Sequence, residues 1–179
     1  DVFTKVLRKD MSEDVLSTAA EEAIDHYHRD ISKEFKNRLG SIDQAHAKTQ
    51  VDLSPVVDAF EQELKNSNIL YKRVSNKILL PEGGVDKATG ARLAEASDYA
   101  AFGDPEKLSG ARKVADDLNR WDKLDVINAD ALKQRIRSYA RQVDDYKQPD
   151  KIVFSTAGAL RQELGKKFNG YDELMTEWI

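Results

Sequence analysis

Apolar residues recur at three- and four-residue steps along most of this chain, the spacing of one face of an α-helix. Over residues 13–39 the stripe is Leu16, Ala20, Ile24, Tyr27, Ile31 and Phe35. Ser12 supplies an N-cap, Glu13 and Asp14 suit the positive end of the helix dipole, and Lys36 and Arg38 suit its negative end. Gly40 is then expected to close this helix in a left-handed conformation. A second helix, 55–65, opens on Ser54-Pro55, because proline at the first helical position forfeits no intrahelical hydrogen bond. Its buried face is Val56, Val57, Phe60 and Leu64.

The pattern then changes. "NILYKRVSNKILLPEGG" is rich in branched and aromatic residues and carries a Ser-Asn turn signal, which predicts a small β-hairpin. The small residues of "VDKATGARLAEASDYAAFG" predict a mobile connection holding at most a short helix. From Asp104-Pro105 the helical spacing returns. A helix over 105–122 aligns Leu108, Ala111, Ala115, Leu118 and Trp121, and one over 152–168 aligns Phe154, Ala157, Leu160, Leu164 and Phe168. Between them a helix over 130–147 begins at Asn128 or Asp130 and stops at Pro149. Asn169-Gly170 breaks the chain before a short terminal helix in "YDELMTEWI". The expected fold is mainly α, an elongated antiparallel helical bundle with a hairpin in its middle, since short connections imply antiparallel neighbours. Three parts follow: a long-helix pair over 1–65, an irregular connection over 66–103, and a C-terminal bundle over 104–179.

"DALKQRIRSYARQVDDY" admits two readings. Leu132, Ile136, Tyr139, Val143 and Tyr146 are spaced four, three, four, three, as in a coiled-coil seam. Lys133, Arg137 and Arg141 form a separate basic stripe beginning roughly 100° away. That stripe is short and ends at Asp144 and Asp145, and both tyrosines lie on the seam instead of beside the cations. Phosphate tracking favours longer stripes with exposed aromatic residues. A packing helix whose arginine stems cover its edges is therefore favoured, with nucleic-acid contact through Lys133, Arg137 and Arg141 as the alternative.

Composition narrows the field. With 28 basic and 32 acidic residues, a net charge of −4 gives no support to a general nucleic-acid binder. An apolar share of 40% against 34% charged residues suits a narrow core. The absence of cysteine excludes disulfides and thiolate chemistry. No apolar run approaches the ~20 residues that cross a bilayer.

No catalytic centre or cofactor site emerges. His26 and His28 are two apart and point to opposite sides of a helix, whereas helical zinc sites need histidines four apart. Glu22, His26 and Asp30 do share a face, and solvated helix pairs explain them better than a metal. "LPEGGVDKATGAR" lacks the residue order that wraps phosphates, and no serine has nucleophile-elbow context. Trp121 and Trp178 suit core or interface anchoring.

The order of "AAEEAIDHYHRDISKEF", "VDLSPVVDAFEQEL", "DALKQRIRSYARQVDDY" and "GALRQELGKKFNGYDELMTEW" resembles helical segments of large bacteriophage virion proteins of the tail, tape-measure and internal types. The resemblance spans about three quarters of the chain, and "VDLSP" and the closing segment carry most of it. It implies a non-catalytic structural or assembly role, in the virion or in the host cytoplasm during assembly. The implied partners are other virion components or further copies of the chain. No catalytic residue carries over. Tyr139, Val143, Tyr146, Leu160, Leu164 and Trp178 are the expected packing or contact residues.

Overall fold

A computed structural model describes residues 13–69, 71–80, 105–140 and 151–177. Its elements in chain order are α1 (Glu13–Ala45), β1 (Val51–Asp52), α2 (Ser54–Asn66), β2 (Lys72–Val74), β3 (Lys77–Leu79), α3 (Pro105–Leu118), β4 (Lys123–Leu124), α4 (Val126–Tyr139), α5 (Lys151–Lys167) and α6 (Tyr171–Glu177). The fold is mainly helical, as the periodicity predicts, and no described helix is long and apolar enough to cross a membrane.

Helix α5 is the central element. It packs on α2 and α4, and also meets α3, α6 and β1. Ile152, Val153, Thr156, Ala157, Leu160 and Leu164 are all buried there, on one broad face of the helix. The Thr156 hydroxyl is satisfied by donating to the Ile152 carbonyl at 2.7 Å. Opposite lie Val56, Val57, Phe60 and Leu64 of α2, each at most 1% exposed. Side chains of this size contribute roughly 1.5–3 kcal/mol each on burial. The sequence pattern placed Phe154 in this face, but it is 42% exposed, with Val153 inside in its place.

Two small antiparallel pairings tie the helices together. Val51 and Asp52 pair with Leu124 and Lys123, joining the approaches to α2 and α4. The Asp52 carboxylate accepts from the Ser54 backbone N–H at 2.8 Å and from its hydroxyl at 2.7 Å, fixing the entry to α2. The second pairing is the expected hairpin, with Arg73 opposite Ile78 and a two-residue turn at Ser75-Asn76. Ser75 has φ 57°, the left-handed conformation that tight hairpin turns require.

Side chains seat the hairpin on the helices. Arg73 reaches Asp58 and Glu61 of α2, each at 2.6 Å, and the Tyr71 hydroxyl donates to Glu61 at 2.5 Å. Asn119, just beyond α3, donates to the Ile78 carbonyl at 2.8 Å and accepts from the Ile78 N–H at 2.9 Å. One side-chain amide thus satisfies both backbone groups of a strand residue, and the Ile78 side chain is buried beneath it.

Three helix ends differ from their sequence expectations. Helix α1 runs through Gly40 to Ala45. Leu39, Ile42 and His46 continue its packed face, the last edge-on to Phe168 with ring centroids 5.7 Å apart, and this contact offsets the ~1 kcal/mol cost of a mid-helix glycine. Helix α4 begins at Val126, because Asp125 sits extended after β4 and its carboxylate accepts from the Asn128 N–H at 2.7 Å. Helix α3 ends at Leu118, so Trp121 leaves the face it was expected to share and is 41% exposed. Gly170, with φ 86°, makes the predicted break before α6.

Two outcomes are expected. Replacing Asn119 by alanine leaves the Ile78 peptide without its partner and should cost about 1–3 kcal/mol in urea denaturation. Hydrogen bonds from Ser54 hold Asp52 below the ordinary aspartate range, and bonds from Tyr71 and Arg73 do the same for Glu61. Both carboxylates favour folding when ionised, so their contribution is complete above about pH 4.5 and is lost as pH falls through their lower folded values. The acid-unfolding midpoint should move when Asp52 is replaced by alanine, and stability near pH 7 should fall as well.

Candidate functional site

Helix α1 has 33 residues and so spans about 50 Å, whereas its neighbours α4 and α6 have 14 and 7. At 1.5 Å per residue those neighbours reach only about 21 and 10 Å. They cannot cover it. Its C-terminal half is anchored by buried Leu39 and by Phe35 and Ile42 packed against the core. Arg38 forms an ion pair with Glu177 of α6, which raises the guanidinium pKa and lowers that of the carboxyl.

Toward the N-terminus every residue from Ala20 to Asp30 is exposed. These residues point in all directions around the helix axis, so this stretch is solvated on every side. Ile24 is 55% and Tyr27 66% exposed, and half-buried Ile31 marks the transition to the anchored half. The sequence stripe is therefore real, but only its C-terminal end serves the core.

An isolated helix as short as the exposed stretch from Ala20 to Asp30 is marginal in water, since nucleation is costly and little apolar area is buried. Here the anchored half supplies the nucleus. Local pairs add a little: His26 Nδ1 lies 3.8 Å from Asp30 Oδ2, and Arg29 Nε donates to the Asp25 carbonyl at 3.2 Å. Glu22, His26 and Asp30 are all exposed on this projection, and no metal-holding group of three is found among the described residues.

The candidate phosphate stripe is not formed as the sequence suggested. Lys133 is turned inward, with its side chain 8% exposed. Its ammonium donates to Asp130 Oδ1 at 2.6 Å and to the Tyr171 hydroxyl at 2.7 Å, and Met175 Sδ lies at 3.2 Å. Tyr171 in turn donates to Asp130 Oδ1 at 2.6 Å, and Gln134 donates to Asp130 Oδ2 at 2.6 Å. Burial first, and Asp130 second, push the Tyr171 phenol far above its ordinary range, so it stays protonated as the donor. Lys133 thus joins α4 to α6 and is withdrawn from phosphate contact. Arg137 is exposed, and Arg141 lies outside the described residues.

The expected contact residues separate in the same way. Leu160 and Leu164 are fully buried inside the domain, so they pack it internally and present no outer surface. Tyr139 is half-buried and bridges α4 to α3: its hydroxyl donates to buried Asp117, while Arg135 Nε lies 2.9 Å from that hydroxyl and 3.0 Å from Asp117 Oδ2. Val143, Tyr146 and Trp178 lie outside the described residues. Beside this bridge, Trp121, Leu124, Asn128, Ala131, Leu132 and Arg135 line an open groove of about 290 Å³. Its one cation is already committed to Asp117.

Ile24 and Tyr27 belong to the apolar stripe of the sequence, and they are its accessible part. The signal that separates them from the packed end of the stripe is length, because no neighbouring helix among the described residues matches α1.

Lys133→Gln should destabilise the domain by about 3–5 kcal/mol, because Asp130 would remain buried without its counter-ion. Arg137→Gln should leave the denaturation midpoint nearly unchanged. Equal effects of the two changes would show that Lys133 is not the internal link described here.

Comparison of the chain with protein-family models, with curated proteins and with solved structures finds no match.

Proposed function

We propose that this chain is a non-catalytic structural or assembly domain of a bacteriophage-type virion protein. It acts through helix–helix packing with neighbouring virion components or with further copies of itself, in the particle or in the host cytoplasm during assembly. In this reading the helices make an antiparallel bundle, drawn out to an elongated form by the projecting half of α1.

The observation that supports it best is the solvated stripe carrying Ile24 and Tyr27. A lone exposed apolar residue needs no explanation, but these two extend the line of residues that packs α1 onto its own domain. A helix that continues its packing face beyond its own domain offers that face to another one. The resemblance of "VDLSP" and of the closing segment to virion proteins points the same way. Burial of Lys133 weakens the rival reading, since it removes the first cation from the phosphate-contact stripe.

Cross-linking mass spectrometry on particles containing the full protein provides the test. Lys33 and Lys36 are exposed and lie behind the apolar stripe, so both should form cross-links to a neighbouring component or to a second copy. The Ile24→Ser/Tyr27→Ser double variant should lose those links. Its melting temperature should hardly change, since surface substitutions usually stay within about 0.5 kcal/mol. Cross-links confined to the chain itself, or submicromolar nucleic-acid binding that persists in moderate salt, would count against this function.

A further inference from the structure

We infer that the projecting half of α1 docks an amphipathic helix whose apolar seam is edged by lysine and arginine, supplied by a protein other than a second copy of this chain. The inference rests on the helix-packing reading above and adds the chemistry of the partner.

Charge placement around the projection carries it. At 100° per residue, Ala20, Ile24, Tyr27 and Ile31 lie within a narrow band, and Glu21, Asp30 and Glu34 fall within roughly 55–95° of its midline. Glu21 borders one side, together with His28 seven residues on, while Asp30 and Glu34 border the other. All four bordering side chains are exposed. The cations of this stretch, Arg29, Lys33 and Lys36, fall on the opposite face of the helix. Arg38 does lie in line with the stripe, but in the anchored half, where Glu177 holds it. An incoming helix therefore meets apolar side chains in the centre, Glu21 and His28 along one edge, and Asp30 and Glu34 along the other.

Edge charges of paired helices choose partner and orientation. A second copy of this stretch brings no lysine or arginine to meet Glu21, Asp30 and Glu34, because its own Arg29, Lys33 and Lys36 lie on the far face. A helix edged by lysine and arginine meets all three carboxylates and is preferred over a second copy for that reason.

The test uses two synthetic helical peptides of about four heptads, each with leucine at the a and d positions. One carries lysine at every edge position and the other glutamate. Binding of each to the full chain is measured by fluorescence anisotropy in low and moderate salt, and self-association by sedimentation equilibrium. The lysine-edged peptide should bind at least about tenfold more tightly than the glutamate-edged one, and Ile24→Ser/Tyr27→Ser should weaken it by a similar factor. In Glu21→Gln/Asp30→Asn/Glu34→Gln, the two peptides should come within about threefold of each other.

Lysine-peptide binding that survives the Ile24→Ser/Tyr27→Ser change would reflect diffuse attraction to an acidic protein and would overturn the inference. Equal binding of both peptides to the native chain would also overturn it. Self-association that the same double change abolishes would overturn the basic-edged partner yet leave helix packing standing. No binding of either peptide, together with no self-association, would remove both readings.

Discussion

The direction in which α1 projects depends on a buried ionic contact that α1 itself does not make. The described helices that hold α1 are α4 and α6, and these are joined by Lys133, Asp130 and Tyr171. An ammonium and a carboxylate inside a protein lose several kcal/mol of hydration each, and good geometry is needed to recover it. Here both carboxylate oxygens are partnered: the Tyr171 hydroxyl accepts from Lys133 while donating to Asp130, and Gln134 donates to the second carboxylate oxygen. An apolar trio could hold α4 to α6 as firmly, but it would tolerate sliding. A hydrogen-bonded trio has one register, and Arg38 and Glu177 extend that register from α6 to α1.

Helix pattern was legible wherever packing agreed with it. Val56, Val57, Phe60 and Leu64 were readable because a single stripe meets a single neighbour, and Leu160 and Leu164 because α5 is central. The Ser-Asn pair announced the hairpin because both residues favour turns, although the left-handed position fell on Ser75 and not on the asparagine. Gly40 misled because propensity is a weak prior: a glycine stops a helix only when no tertiary contact lies beyond it, and Ile42 and His46 lie beyond this one.

The candidate site was harder to read, for a different reason. Periodicity reports that a face is apolar but not what covers it. Ile24 and Leu39 belong to the same helix and the same general face, yet one is 55% exposed and the other 6%. Only the lengths of the neighbouring elements separate them, and those lengths depend on folding elsewhere in the chain. Lys133 shows the converse. It sits four residues before Arg137, and nothing local distinguishes the two, but Tyr171 arrives from 38 positions away to bury one of them. The partner that converts a surface cation into a core group is non-local, so no window of sequence contains it.

Both placements bear on function. The domain satisfies its own charges internally at two junctions of α4, with α3 through Asp117, Arg135 and Tyr139, and with α6 through Asp130, Lys133 and Tyr171. On the projection the carboxylates beside the stripe have no buried arrangement of that kind: Glu21, Asp30 and Glu34 are all exposed, Asp30 lies beside exposed His26, and Arg29, Lys33 and Lys36 fall on the far face. A helix that needed only to remain folded would gain by alternating acids and bases along every face. Keeping lysine and arginine off the borders, with Glu21, Asp30 and Glu34 beside exposed Ile24 and Tyr27, gives up part of that local stabilisation and creates an edge that distinguishes among incoming helices. Such an edge does its work in association, where complementary borders speed encounter and fix register. The body of the domain thus supplies rigidity, and the proposed recognition is left to the part of α1 that the body is too short to cover.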